Sequence, residues 1–532
     1  MTCGAESLSV VIFGATGDLA KKKLFPALYE LLYGCPGAPL LPPTTRIVGY
    51  GRAALELPAF LDKQCSGVTG PHRQSFLERV TYVRGRYDRE EDFAKLNAHL
   101  KELELDGGAC NRLFFLSVPP TVFAMVCEKV HKQARATTGA TRIVIEKPFG
   151  RDSRSFAELD AATSGAFLEK ELFRIDHYLA KEKVLNLLAF RFANQLYEPL
   201  WNRQHIAQVQ IIFKEDIGTG GRGGYFDGFG IIRDIMQNHL LQVLLWLAME
   251  PPKSLDAGCI AKAKMELLSK MRTLRMEDCI LGQYTAGNGQ PGYLDDETVP
   301  AGSRCPTFAA VALDIDNDRW RGVPFLMRAG KGLDERLAEV RITFKKQEYN
   351  TLLPGEPNEL VLRIQPDEGI YVKCINKHPG WNQEHMTPVH LKMSYRHTFP
   401  GSYVAGAYER MLVNAAKGDQ SLFVGSRELV EAWRIFTPLL DEIDRSRPQP
   451  VLYPFGSAAP PGLVEFAAMR GVSIDESSAG RLGVTEAPPG ASATDGPPVL
   501  ATPEKRSGGA PELTPVESGI KLARRQLLSE GA

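Results

Sequence analysis

Apolar and polar positions alternate along this chain in two rhythms, followed by a stretch with none. From about residue 6 to 175, short β-rich runs alternate with segments of helical periodicity. Ser7–Phe13 is apolar and β-rich, and further strands are expected at 46–50, 113–118 and 142–145. Between them, apolar positions at helical spacing predict helices over 19–32, 92–105 and 121–134. Strand, helix and strand in succession point to βαβ units on a parallel sheet. From about 176 to 455 the order changes. Helices are predicted at 180–195 and 231–249, and strands then follow at 207–213, 307–315, 339–344, 360–365, 370–374 and 389–394. Strands in a row joined by short polar turns favour an antiparallel sheet, hence an α+β domain. Helical periodicity returns at 403–416 and 429–443.

After Phe466 no aromatic residue occurs, and runs such as EAPPGASATDGPP dominate. Such a segment buries too little apolar surface to offset an ordering entropy of about 1–2 kcal/mol per residue. The expected organisation is therefore an α/β Rossmann-like dinucleotide-binding domain over 1–175 and a larger α+β domain with a mostly antiparallel sheet over 176–469. A disordered Pro/Gly/Ala/Ser-rich tail is expected over 470–532.

Charge removes some functional classes. Sixty-three basic side chains face 63 acidic ones, so no global field draws the chain to nucleic acid or an anionic membrane. The nine cysteines include no CxxC pair, which argues against a zinc or dithiol site and leaves scattered reduced thiols. The first residues lack the basic and apolar regions of a signal peptide. The longest apolar stretch, 240–249, is half a membrane span and is interrupted by Gln242. A cytoplasmic protein with no metal, no nucleic-acid partner and no membrane partner is expected.

Reactive side chains gather in a few segments. GATGDLA at 14–20 directly follows the first strand and opens the first helix. Gly14 suits the tight turn, Gly17 lets a pyrophosphate approach the backbone, and Ala20 packs helix on strand. Helix N–H groups then face the phosphates. The second strand runs into Arg52, with no acid until Glu56; an arginine suits a 2′-phosphate, so NADP is expected over NAD. IEKPFG at 145–150 places Lys147 at the carboxyl edge of the sheet. RIDHYLAKE at 174–182 offers His177, Tyr178 and Lys181 as a phosphate clamp, and its YxxK spacing is not the YxxxK of short-chain dehydrogenases. GRGGYFDGFGIIRDIMQNHLLQ at 221–242 presents Asp234, Asn238 and His239. His239 qualifies as a general base if a carboxylate orients it. On a regular α-helix Asp234 lies on a different face, so Asp176 is the natural partner. Taken singly, each feature has an ordinary alternative: a turn, a loop arginine, a loop lysine, a polar helix start, a structural histidine.

Together with RAGKGLDERLAEVRI, RIQPDEGIY and EAWRIFTPLL, these segments, in this order over about 8–455, resemble the glucose-6-phosphate dehydrogenase family. RIDHYLAKE is similar to its signature nonapeptide, with Ala180 where glycine is usual. The resemblance implies that His239 is the catalytic base and Asp176 its partner. It implies that His177, Tyr178 and Lys181 hold the 6-phosphate, and that Lys147 stands between sugar and nicotinamide. Glu215, Asp234, Lys331, Arg336 and Gln365 are implied as further substrate contacts. Gly14, Ala15, Thr16, Gly17, Asp18, Leu19, Arg52 and Lys147 are implied as coenzyme contacts. The implied reaction oxidises glucose 6-phosphate at C1 to 6-phosphoglucono-lactone, the first oxidative step of the pentose phosphate pathway. The same chemistry on another hexose 6-phosphate, or a non-catalytic NADP(H)-binding regulator, are the alternatives. Homodimers or dimers of dimers pairing through the second sheet are implied as well. Arg328, Arg341, Arg363, Tyr371 and Lys373 match parts of a structural NADP site that many eukaryotic members carry. Leu337 stands where that site usually has lysine and Lys392 where it has aspartate, and an aromatic C-terminal segment is replaced by the aromatic-free tail. Arginines beside acidic neighbours on strands read equally well as surface ion pairs.

Overall fold

Six parallel strands form the first sheet of the computed structural model, which describes residues 7–104, 109–346 and 355–474. They are β1 (Ser7–Phe13), β2 (Arg46–Gly51), β3 (Val80–Arg84), β4 (Cys110–Leu116), β5 (Thr141–Ile145) and β6 (Leu172–Arg174), in the order β3-β2-β1-β4-β5-β6. The central strands are buried nearly throughout, as their unbroken apolar runs require when helices cover both faces. Strand order changes direction between β1 and β4, and the crevice at such a point is where ligands meet an open parallel sheet. Gly14 leaves β1 there with φ +74°, and a Cβ on it would stand 2.0 Å from the carbonyl oxygen of Ser117, just past β4. Only glycine lets the two strand ends approach this closely. β3 and β6 escape periodicity, since β3 is a half-exposed edge and β6 has three residues.

Nine strands form the second sheet: β7 (Ile206–Lys214), β8 (Cys279–Thr285), β9 (Phe308–Leu313), β10 (Phe325–Gly330), β11 (Leu337–Phe344), β12 (Glu359–Gln365), β13 (Gly369–Lys377), β14 (Met386–Ser394) and β15 (Val451–Pro454). Their order is β14-β13-β12-β11-β7-β10-β9-β8-β15. The sheet is mostly antiparallel; β7–β10 and β8–β15 are its parallel pairs. The sequence pattern misses β8, β10 and β15.

Helix Leu241–Ala248 is apolar except for Gln242 and wholly buried, the composition of a helix enclosed by the core. Trp201 and Trp320 donate their indole N–H groups to the carbonyls of Leu247 and Ala248, each at 2.8 Å. These bonds pin the far end of the continuous helical run that begins at Ile232.

Two late helices return to the first sheet. Helix Ala407–Lys417 packs against β4 and β5, and helix Ser426–Ser446 against helix Ser153–Ser164. Trp433 of the latter donates to the carbonyl of Phe149 at 2.9 Å. The described residues thus belong to one compact unit, and the boundary expected at 175/176 separates two sheets while helices cross it. Residues 470–474, expected to open the tail, instead lie against the second sheet. Ser473 N donates to Gln208 Oε1 at 2.7 Å, its carbonyl accepts from Gln208 Nε2 at 2.8 Å, and Val472 and Ile474 are buried. Two buried apolar side chains and the two hydrogen-bonded backbone groups of Ser473 dock this short stretch. The remainder of the expected tail lies outside the described residues. No described helix is long and apolar enough to cross a membrane.

Candidate active site

β6 ends at Arg174, a buried guanidinium held by Asp160 at 2.9 Å and Glu169 at 2.8 Å. The next turn carries Asp176 into the protein. There its Oδ1 lies 2.6 Å from His239 Nδ1 and accepts the backbone N–H of Tyr178 at 3.0 Å. Both side chains are buried, Asp176 at 3% and His239 at 2% exposure. Burial pulls the imidazole below its ordinary pKa although Asp176 opposes this. Burial would raise Asp176, yet the charge and hydrogen bond of His239 hold it at about 2. Asp176 therefore stays a carboxylate, and burial favours the neutral form of the imidazole on it. A carboxylate only accepts, so Nδ1 carries the hydrogen and Nε2 keeps its lone pair. The Tyr178 ring stacks on His239 with centroids 4.5 Å apart, and His177 meets it edge-on at 4.6 Å.

His239 stands on a stretch, Ile232–Leu240, wound as a π-helix. Its hydrogen bonds span five residues instead of four, so residues five apart fall near one face. Asp234 and His239 therefore share a side, contrary to the α-helical expectation. Asp234 nevertheless pairs elsewhere. Lys147, following β5, donates to Asp234 Oδ1 at 3.0 Å and to its carbonyl at 2.7 Å. Lys331 Nζ lies 3.8 Å from Asp234 Oδ2 and is hydrogen-bonded to Glu215 at the end of β7. Burial alone would raise the Asp234 carboxyl; Lys147 and Lys331 lower it instead. Lys147, Asp234, Lys331 and Asn238 line a cleft of about 1180 Å³. His239, His177, Tyr178 and Lys181 are not among its lining residues, so in this conformation the imidazole sits one layer behind the cleft wall.

Lys181 completes a cationic end. Its Nζ lies 4.0 Å from the centroid of the Tyr178 ring and is hydrogen-bonded to Gln365. Burial lowers its ammonium to about 8, with Glu368 opposing and Arg336 adding like charge. Arg336 is exposed, and its charge also acts on Tyr178. A half-buried lysine whose ammonium burial disfavours, beside an arginine and a histidine, is a setting that an anion relieves.

At the mouth of the first sheet, Gly17 N donates to Gly14 O at 2.9 Å. Ala15 is buried against Gly49, where an added Cβ would come within 3.1 Å of it. Thr16 O accepts from Gln64 at 3.2 Å, and Leu19 is partly buried where the helical run begins. Asp18 is exposed and pairs with Lys22 at 2.8 Å. Arg52 is exposed over the Tyr87 ring at 5.9 Å, without a carboxylate partner among the described residues. An open glycine cradle at the switch point and an unneutralised arginine beside it fit a dinucleotide carrying a 2′-phosphate.

The residues matched to a structural NADP site lie together on the second sheet but are engaged with acids. Glu339, fully buried, accepts from Arg341 at 2.6 Å and Arg363 at 2.7 Å. Lys373 pairs with Glu356, and Arg363 and Lys392 lie over Tyr371 at 6.0 and 5.8 Å. Arg328 is buried on β10, and Leu337 is buried at the start of β11.

Some site neighbours carried no signal in the sequence. Tyr408, on helix Ala407–Lys417, stacks on His177 at 6.3 Å. Tyr87 underlies Arg52, and Ser117 faces Gly14; each arrives from a separate loop or helix. Arg222 and Tyr225 also line the cleft from within the Gly-rich segment.

Comparison with known proteins agrees across sequence and structure. Residues 11–186 match the model of "Glucose-6-phosphate dehydrogenase, NAD binding domain", and 188–474 that of "Glucose-6-phosphate dehydrogenase, C-terminal domain". The chain is 47% identical over 483 residues to glucose-6-phosphate 1-dehydrogenase 1, chloroplastic, of Arabidopsis thaliana, covering 87% of this chain and 82% of that one. It is 46% identical to glucose-6-phosphate 1-dehydrogenase of Dictyostelium discoideum, covering 86% and 93%. A solved glucose-6-phosphate dehydrogenase in complex with its substrate glucose 6-phosphate superposes with TM-score 0.84 at 42% identity, covering 88% of this chain and 99% of that one. A Mycobacterium avium glucose-6-phosphate 1-dehydrogenase gives 0.76 at 32%, covering 88% and 98%.

Proposed function

The chain belongs to the glucose-6-phosphate dehydrogenase family, and on that premise we infer that it oxidises glucose 6-phosphate at C1 with NADP, yielding 6-phosphoglucono-lactone and NADPH. The observation that carries the mechanism is the buried Asp176–His239 pair, 2.6 Å apart, set behind a cleft walled by Lys147 and Asp234. His239 Nε2 accepts the C1-hydroxyl proton. Asp176 keeps the imidazole in the required tautomer and stabilises the imidazolium that develops, a gain realised in the transition state. Gly14 to Leu19 and Arg52 would hold the coenzyme, whose nicotinamide supplies the hydride acceptor. Lys147, Glu215, Asp234 and Lys331 orient the sugar hydroxyls. His177, Tyr178, Lys181, Arg336 and Gln365 hold the 6-phosphate, so binding energy remote from C1 positions C1 against the base.

The cationic end around Lys181 speaks for a phosphorylated sugar over free glucose, because a partly desolvated ammonium beside a second cation is relieved by an anion. A non-catalytic regulator has no use for the Asp176–His239 pair. On the second sheet, Arg341 and Arg363 already share Glu339, which favours the ion-pair reading of those arginines over a retained structural NADP. Leu391 on β14 and Trp381 in the loop between β13 and β14 are solvent-exposed, which supports pairing of two copies through this end of the sheet into a homodimer. The compartment we assign is the cytoplasm. Absorbance of reduced nicotinamide tests the whole reading: NADP with glucose 6-phosphate should give a signal, and free glucose or NAD a far weaker one. No signal with the first pair overturns it.

A further inference from the structure

Phe229 and Arg233 line both the active-site cleft and a second cavity of about 330 Å³. Around this second cavity four guanidinium groups, Arg151, Arg233, Arg304 and Arg447, face two carboxylates, Asp227 and Asp444. Asp444 is committed to Arg233 at 2.7 Å and lies 3.9 Å from Arg151. Asp227 accepts hydroxyl hydrogens from Tyr293 at 2.8 Å and from Ser303. Arg304 and Arg447 have no carboxylate partner among the described residues. Arg304 donates one Nη1–H to the carbonyl of Arg447 at 2.6 Å, capping the end of helix Ser426–Ser446. That single bond leaves most of its donors unused. Leu440, Ile443 and Phe229 give the cavity an apolar side.

A small cavity with surplus guanidinium charge and one apolar side is chemically selective. Arg151, Arg304 and Arg447 are exposed at the cavity's surface, and planar guanidinium forks match the oxygens of phosphate. Its size is that of a site for a small molecule. We propose that this cavity binds a phosphate-bearing small molecule, separately from the sugar-phosphate site. Arg151, Arg304 and Arg447 hold the phosphate, and Leu440, Ile443 and Phe229 accommodate an apolar body. The site is wired to the catalytic segments. Arg233 precedes Asp234 on the helix that carries His239, and its Nε donates at 2.8 Å to the carbonyl of Arg151, four residues beyond Lys147. A ligand that draws Arg151 or releases Asp444 therefore acts on both, and the coupling is reciprocal.

The test is calorimetric titration of the full chain without glucose 6-phosphate, itself a phosphate ester, in a Lys181→Ala background that weakens the sugar-phosphate site. Phenyl phosphate and inorganic phosphate are the two probes. One saturable site is expected, with phenyl phosphate the tighter ligand and its affinity at least about tenfold weaker in both Arg447→Ala and Arg151→Ala. Because Arg304 also caps a helix, Arg304→Ala is read beside its thermal midpoint, and the other two variants carry the test alone. Equal affinity for the two probes assigns the same site to free phosphate. Absence of saturable binding, or undiminished binding in Arg447→Ala and Arg151→Ala, overturns the proposal.

Discussion

Asp176 and His239 are 63 positions apart in the chain and 2.6 Å apart in the fold, and the reaction rests on that contact. Replacing His239 with Asn should lower kcat by about 10²–10⁴-fold, the range a positioned general base supplies, with little change in sugar-phosphate affinity. Near-normal turnover in single-turnover kinetics would remove His239 from its role. Lys181 makes a pH prediction. Burial lowers its ammonium to about 8 in the free protein, so the cation is present below that pH and lost above it. KM for glucose 6-phosphate should rise as pH passes upward through about 8, with kcat nearly constant. Lys181→Arg, whose guanidinium stays charged, should flatten that rise. Residue identity announced both positions, because each stands in a short segment crowded with acids, bases and polar side chains. Tyr408 carried no such mark, since a tyrosine becomes a stacking partner of His177 only when a distant helix delivers it.

Among the elements, the strand–turn–helix around Gly14 was the most legible. Its turn residues, apolar run and helical spacing all describe local conformation. Gly14 occupies φ +74°, with the Ser117 carbonyl 2.0 Å from where a Cβ would stand. Gly14→Ala should therefore strain the turn and push β1 from the β4 loop, weakening NADP binding at least about tenfold while sugar-phosphate affinity holds. Coenzyme titration by quenching of intrinsic fluorescence measures this; unchanged NADP affinity would remove the loop from the coenzyme site. The catalytic helix was legible in extent and illegible in winding. Its π stretch turns Asp234 toward the side of His239, and the local pattern of apolar residues does not distinguish five-residue from four-residue hydrogen bonding. Strands β8, β10 and β15 escaped because none shows a clean apolar–polar alternation, and β15 has only four residues. They are strands because neighbours on both sides, or on one, satisfy their backbone groups.

Across the whole molecule, segments far apart in the chain meet in a buried polar knot. Lys264 Nζ lies 2.9 Å from Gln242 Oε1 and 3.3 Å from Glu428 Oε1, and Gln242 donates to Glu428 at 2.6 Å. These residues join helix Ala257–Leu268, the apolar helix behind His239 and helix Ser426–Ser446. Lys264→Met should cost about 3–5 kcal/mol, since it strands a buried carboxylate, while Lys264→Met with Glu428→Leu should recover much of that loss. Denaturant unfolding of both variants checks this, and equal losses would mean the charges are not coupled. By itself, the sequence determined the parallel Rossmann-like sheet, the sheet-rich second region, the phosphate-binding turn and the stock of acids, bases and cations at the site. Those follow from local periodicity and residue chemistry, which are written along the chain. Only the tertiary structure decided that Asp234 turns to Lys147 and Lys331, that Tyr408 reaches His177, and that two late helices close over the first sheet. A periodic pattern records that a face is buried; what it is buried against is settled by packing between segments hundreds of residues apart.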